Sequence, residues 1–146
     1  MTTTIHTSIV IAASPLDIWT ALTDFKHFEK WNPFIRSVTG PLSIGGKLKI
    51  HITPPGSKGM HFSPTIISLI TGKRLQWLGT LGFKGLFDGA HLFDITDHGN
   101  GTCTFIQEET FSGILVPILK SQLRSTEEGF KLMNEQLKRI AEQVNK

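Results

Sequence analysis

The sequence predicts an α+β domain: one curved, seven-stranded antiparallel sheet wrapped around a long C-terminal helix, with two short helices after strand one. Two observations predict it. The last segment, from about Pro117 to Val144, carries Leu119, Leu123, Phe130, Met133, Leu137, Ile140 and Val144, with Thr126 completing steps of four and three. That spacing draws one continuous apolar stripe along one face of a helix. Ahead of it, between Phe34 and Phe111, short segments alternate apolar with polar residues and are separated by glycine and proline turns, which is strand periodicity. A sheet that grips a helix in this order leaves a hollow between the two. A hollow points to ligand binding before it points to any particular chemistry.

Each element follows from local signals. Ile5, Thr7, Ile9 and Ile11 alternate with His6, Ser8, Val10 and Ala12 to make strand one. Ser14 suits a helix N-cap, Pro15 the first helical position, and Asp17 the position that reaches back to the cap. Ile18, Trp19 and Leu22 form the inner face of that helix. Asp24 restarts the pattern, and Phe25, Phe28 and Trp31 mark a second short helix that Asn32-Pro33 ends. Strand two is expected over Phe34 to Thr39. Gly45-Gly46 turns the chain into strand three, Lys47 to Thr53, and Pro54-Pro55-Gly56 turns it again. Strand four is expected over Met60 to Ile70 and strand five over Arg74 to Thr80. Strands six and seven, Ala90 to Asp97 and Thr102 to Phe111, are joined through His98-Gly99-Asn100-Gly101, a hairpin signal. The glycine-rich stretch Leu78 to Gly89 reads either as a plain hairpin or as an apolar flap at the mouth of the hollow. Its glycines lack the strand–GxxxxGK[ST]–helix context of a phosphate loop.

Length and composition narrow the function classes. The 146 residues make one domain, residues 1–146, with no linker or repeat. The formal charge of +3 comes from scattered lysines and arginines, and the lack of a basic cluster argues against nucleic-acid binding. A single cysteine, Cys103, excludes an internal disulfide. Without a signal-peptide pattern or an apolar run of roughly 18 residues, the expectation is a cytoplasmic chain that does not span a membrane. No pair among the six histidines has helical metal-ligand spacing, so no metal and no cofactor are expected. Ten phenylalanines and no tyrosine predict a pocket with apolar walls, its polar contacts left to His, Thr, Ser, Glu or backbone. Nothing in the chain sets its oligomeric state.

Taken in order, several segments resemble the START-like, or SRPBCC, superfamily of helix-grip proteins, which includes the birch pollen allergen. They are Ser14-Pro15-Leu16-Asp17-Ile18-Trp19, Phe28 to Phe34, Leu75-Gln76-Trp77, His91-Leu92-Phe93, Gly101 to Phe105, Glu109 to Gly113, and Phe130 to Asn134 with Leu137-Lys138. Within the superfamily the chain looks most like the polyketide cyclase/dehydrase group. The resemblance implies a helix-grip fold. It also implies any of several functions, among them lipid carriage, cyclase chemistry or activation of a chaperone ATPase, because this fold hosts many activities.

The candidate site starts from His91 and Glu109. A hairpin centred near Gly99 puts both on one strand face with Phe93, Phe105, Gln107 and Phe111. If that face is concave, an imidazole and a carboxylate meet in an apolar hollow and can exchange protons with a carbonyl substrate. The plainer readings are a satisfied buried pair, or a Glu109 that only ties down the start of the last helix. Expected ligand contacts are Trp31 from the second short helix, and Phe34, Ile50 and Phe62 from the next strands. The later strands add Trp77, Phe87, Phe93, Phe105 and Phe111, and the last helix adds Phe130 and Met133. Arg36 reads as a partner for a ligand carboxylate or as a solvated surface residue, and Cys103 as a packed thiol. Gly129, mid-helix, implies close approach to the sheet or a kink. Pro117 is expected to begin the helix, which makes Gly113 to Val116 an apolar lid. The expected function is binding of a small hydrophobic molecule such as a lipid, an aromatic polyketide or an isoprenoid-like metabolite. A cofactor-free cyclase or dehydrase using His91 and Glu109, or a chaperone-ATPase-activator-like module, are the alternatives.

Overall fold

Strand β1 (Thr2–Ile11) opens the computed structural model, which describes residues 2–144. Ile5, Thr7 and Ile11 face the core and their neighbours face water, as alternation requires. Helix α1 (Pro15–Thr23) starts as the sequence dictates: Ser14 Oγ accepts from the Asp17 backbone N–H at 3.1 Å, with Pro15 in the first turn. It buries Ile18, Trp19 and Leu22. A 3-10 turn, Phe25–His27, leads into the short helix α2 (Phe28–Trp31). Asn32 ends it, its side-chain oxygen accepting from Phe34 N at 2.9 Å and Ile35 N at 2.8 Å. Arg36 neither meets a cavity nor floats in solvent. Its guanidinium donates to Asn32 O at 2.7 Å and Glu29 O at 2.9 Å, closing off the carbonyl end of α2.

The expected single seven-stranded sheet is corrected. Among the described residues β1 joins β5 (Thr65–Ile70), β6 (Arg74–Leu81), β7 (Phe87–Asp97) and β8 (Cys103–Ser112) in a five-stranded antiparallel sheet, ordered β1-β8-β7-β6-β5. A second sheet holds β2 (Ile35–Thr39), β3 (Lys49–Ile52) and β4 (Met60–Phe62). The difference lies at Ser63-Pro64. Proline has no N–H to give to a ladder, so the expected strand Met60 to Ile70 breaks there into β4 and β5. The two sheets stay joined where the chain before β3 runs beside β5. Ile66 N donates to Gly46 O at 2.9 Å and Leu48 N donates to Pro64 O at 2.9 Å.

Helix α3 (Lys120–Gln143) starts three residues later than the Pro117 expected. Residues 114–119 instead form turns, because their backbone is committed to the β6–β7 loop: Ile114 N donates to Gly85 O and Leu115 N to Leu86 O. The expected lid is therefore divided. Val116 is fully buried, while Ile114 is 70% exposed. From Phe130 onward α3 packs tightly against β1 and α1, and Phe130, Met133, Leu137 and Ala141 are fully buried. No helix among the described residues is long and apolar enough to cross a membrane.

Candidate functional site

Three glycines decide where the sheet and α3 fail to meet. Gly79 and Gly89 pair across β6 and β7, so two adjacent positions of the concave face carry no side chain. A methyl group on Gly79 would touch the Phe62 ring at 3.3 Å, and one on Gly89 would collide with the Glu109 carboxylate. Above them Gly129 makes room for Phe34, whose ring occupies the space a β-carbon would need. Phe34 in turn stands edge-on to Phe130, with ring centres 5.4 Å apart. The N-terminal half of α3 thus spans an open space and the C-terminal half closes on packed side chains. The cavity so formed has a volume of about 220 Å³. Its roof is Leu119, just before α3, with Leu123 and Thr126 of α3, and it reaches the surface near Met60 and Leu81, each 45% exposed.

Of the residues expected to line a hollow, Phe34, Phe62, Trp77, Phe87 and Phe111 do line this cavity, together with His91 and Glu109. Phe87 and Phe111 stack at 5.4 Å across neighbouring strands. The other six lie elsewhere. Phe93, Phe105, Phe130 and Met133 are packed core, with Phe105, Phe130 and Met133 fully buried. Ile50 lies at a separate shallow groove with Ser37 and Lys49. Trp31 packs edge-on to Phe28 on α2, ring centres 5.2 Å apart.

His91 and Glu109 pair directly across β7 and β8, with Nδ1 and Oε1 3.4 Å apart. The His91 side chain is 3% exposed and that of Glu109 13%. Aromatic rings enclose the imidazole: Phe93 stacks on it at 4.4 Å, and Phe130 and Trp77 stand at 4.8 and 5.3 Å. The other nitrogen, Nε2, meets Gln107 Oε1 at 3.0 Å. From there a chain of buried polar groups continues. Gln107 Nε2 donates to Asn134 Oδ1 at 2.7 Å and to Phe130 O at 3.4 Å. Asn134 Nδ2 donates to Thr7 Oγ1 at 2.9 Å, and the Thr7 hydroxyl donates to Gln107 O at 2.7 Å. Sequence reasoning placed Gln107 on the right face without giving it a role, and passed over Thr7 and Asn134. The signal was present: these are polar side chains at positions where strand and helix periodicity point inward. Glu109 does not hold the start of α3. Its carboxylate lies over Gly89, with the His91 ring at ion-pair distance.

Elsewhere the reactive groups are quiet. No cluster of three or more His, Cys, Asp or Glu side chains suited to a metal ion occurs among the described residues. Cys103 is fully buried and its thiol donates to Ala13 O at 3.3 Å. Burial, and to a lesser degree the Asp97 carboxylate, push its pKa above the ordinary 9.0. A raised value means the fold favours the neutral thiol. That stabilisation is intact below pH 9.0 and is lost as pH rises through the raised value. The native protein is therefore expected to resist a disulfide-exchange reagent at neutral pH and to react only as denaturant unfolds it. Prompt labelling of folded protein would contradict this.

The family model described as polyketide cyclase / dehydrase and lipid transport matches residues 2–144. Curated proteins give no match. Among solved structures, the aromatase/cyclase ZhuI from Streptomyces sp. R1128 superposes with a TM-score of 0.81 at 10% identity, over 100% of this chain and 97% of that one. A point mutant of norcoclaurine synthase from Thalictrum flavum gives 0.78 at 15%, over 100% and 98%. The di-domain aromatase/cyclase StfQ of the steffimycin biosynthetic pathway gives 0.80 at 13%, over 99% of this chain and 52% of that one. At such identities the likeness establishes the fold, a helix grip. The family follows from the full-length match: the chain belongs to the polyketide cyclase/dehydrase and lipid transport family.

Proposed function

We propose that this protein binds a small, largely apolar molecule in the cavity between β6–β8 and the N-terminal half of α3. The observation that carries the reading is the cavity itself, a space of about 220 Å³ walled by aromatic rings and kept open by paired glycines. Its volume is below that of most drug-sized sites, which favours a fused-ring compound over a long acyl chain. Burying about 100 to 200 Å² of apolar ligand surface contributes roughly 2.5 to 5 kcal/mol before association costs, enough for a specific but modest affinity. Naphthalene is a suitable probe, followed by the fluorescence of Trp77 in the wall. Gly79→Leu extends a side chain into the cavity from a strand position with ordinary backbone angles. It is expected to weaken naphthalene binding about tenfold or more, which corresponds to about 1.4 kcal/mol. Unchanged affinity in a folded Gly79→Leu protein would place the ligand elsewhere.

A second reading has one specific observation behind it. The paired Glu109 and His91 on the cavity wall are the residue types needed for acid/base work on a carbonyl compound, as in a cofactor-free cyclase or dehydrase. Glu109→Gln separates the two readings. A carrier keeps its affinity for naphthalene, whereas a catalyst loses most of its turnover on a polyketone substrate.

A further inference from the structure

We propose that the cavity selects apolar ligands bearing a hydroxyl group, because a hydrogen-bond relay anchored on the backbone fixes the His91 tautomer and leaves Glu109 as a pure acceptor toward the ligand. This rests on the cavity being the ligand site, and it names the kind of ligand. The relay is set from its far end. The Gln107 carbonyl can only accept, so the Thr7 hydroxyl spends its proton there and turns a lone pair to Asn134. Asn134 must then present Nδ2 to Thr7 and Oδ1 to Gln107. Gln107 accordingly points Nε2 at Asn134, where the Phe130 carbonyl also accepts from it, and turns Oε1 to His91. An amide oxygen cannot donate. His91 Nε2 therefore carries a proton, and Nδ1 is the nitrogen left to face Glu109.

Nδ1 stands 3.4 Å from Glu109 Oε1. The second oxygen of Glu109 lies over Gly89 and is the acceptor that faces the cavity. The other ionisable group on the wall is His61, which is exposed at the rim. Thr126, in the roof, has committed its hydroxyl proton to Gln122 O at 2.9 Å, so it too offers only lone pairs inward. Trp77 also lines the cavity, with its indole N–H buried and unpaired. Gln122 and His61 offer N–H groups only at the exposed edge of the cavity, so beside Glu109 it is a ligand's own hydroxyl that supplies the donor.

The test compares 2-naphthol, its methyl ether 2-methoxynaphthalene, and naphthalene, with nitrogen NMR of the His91 ring in uniformly labelled protein. The phenol is expected to bind about tenfold more tightly than the ether. Glu109→Met, which removes the acceptor at similar volume, is expected to erase that ratio. Free protein should show His91 Nε2 protonated, whether or not Nδ1 is as well. Equal binding of phenol and ether overturns the inference and leaves the cavity reading standing. So does a neutral His91 ring protonated at Nδ1. If none of the three compounds binds, the cavity reading fails and takes the inference with it. Should Glu109→Met not fold, the wild-type ratio and the ring spectrum decide alone.

Discussion

Replacing Gln107 with leucine is expected to lower stability by about 2 to 4 kcal/mol, although the two side chains are close in size and the site is fully buried. The loss comes from what is stranded, not from what is removed. Gln107 joins three groups that cannot reach water: the His91 Nε2–H, the Asn134 side-chain oxygen and the Phe130 carbonyl. The Phe130 carbonyl lies in α3 and keeps its helical acceptor role, so its loss is small. The His91 donor and the Asn134 acceptor are left unpaired, at roughly 1 to 3 kcal/mol each, and the apolar leucine offsets only part. Urea unfolding at constant slope is the measurement. Leucine at both Gln107 and Asn134 is expected to cost less than the two single substitutions summed, by about 1 kcal/mol or more, because each single change already breaks their shared bond. A Gln107→Leu protein within about 0.5 kcal/mol of wild type would mean that the relay does not operate in solution.

The fold was largely written in local signals, and its one large departure was written there too. Ser14-Pro15 starts α1, Asn32 stops α2, and Gly99 and Gly101, at φ of +74° and +89°, turn the β7–β8 hairpin. A hairpin centred near Gly99 is enough to put His91 and Glu109 on one face, but it is the observed centre at Asn100 that sets them directly opposite each other. Pro64 signals the break between β4 and β5 through its missing N–H, but the apolar residues on both sides of it mask that signal.

The cavity was harder to see, for a physical reason. Alternation says which face of a strand points inward. It does not say how far the helix stands from that face. Phe93 and Phe105 share their face with His91 and Glu109, yet they are packed core and the pair borders open space. What separates them is the placement of Gly79 and Gly89, visible in the sequence as strand glycines but meaningful only once they pair across β6 and β7. The polar relay was hidden in the same way. Thr7, Gln107 and Asn134 stand far apart in the chain, and only the packing of α3 on β1 and β8 brings them into one line.

Gly129→Ala is expected to destabilise the protein by about 1 to 3 kcal/mol, a reversal of the usual sign. In the middle of an ordinary helix the same change stabilises by about 1 kcal/mol, because alanine has less backbone freedom to lose. Here the added methyl would sit within 2.7 Å of Phe34 Cε1 and 3.0 Å of Cγ, so the ring has to move. Its options are poor. Phe34 is 2% exposed, edge-on to Phe130 behind and bordering the cavity in front, so the ring yields into the cavity or pries α3 from the sheet. A double-mutant cycle separates overpacking from helix propensity. In a Phe34→Leu background, where the offending ring atoms are gone, Gly129→Ala is expected to become neutral or stabilising, a coupling of about 1 kcal/mol or more. Stabilisation by Gly129→Ala in the otherwise unchanged protein would show that Phe34 does not lodge against the helix. The glycine's role in holding the cavity's shape would go with it. If the cycle couples as expected, displacing the ring should also weaken naphthalene binding, since one side chain then sets both the helix spacing and the cavity wall.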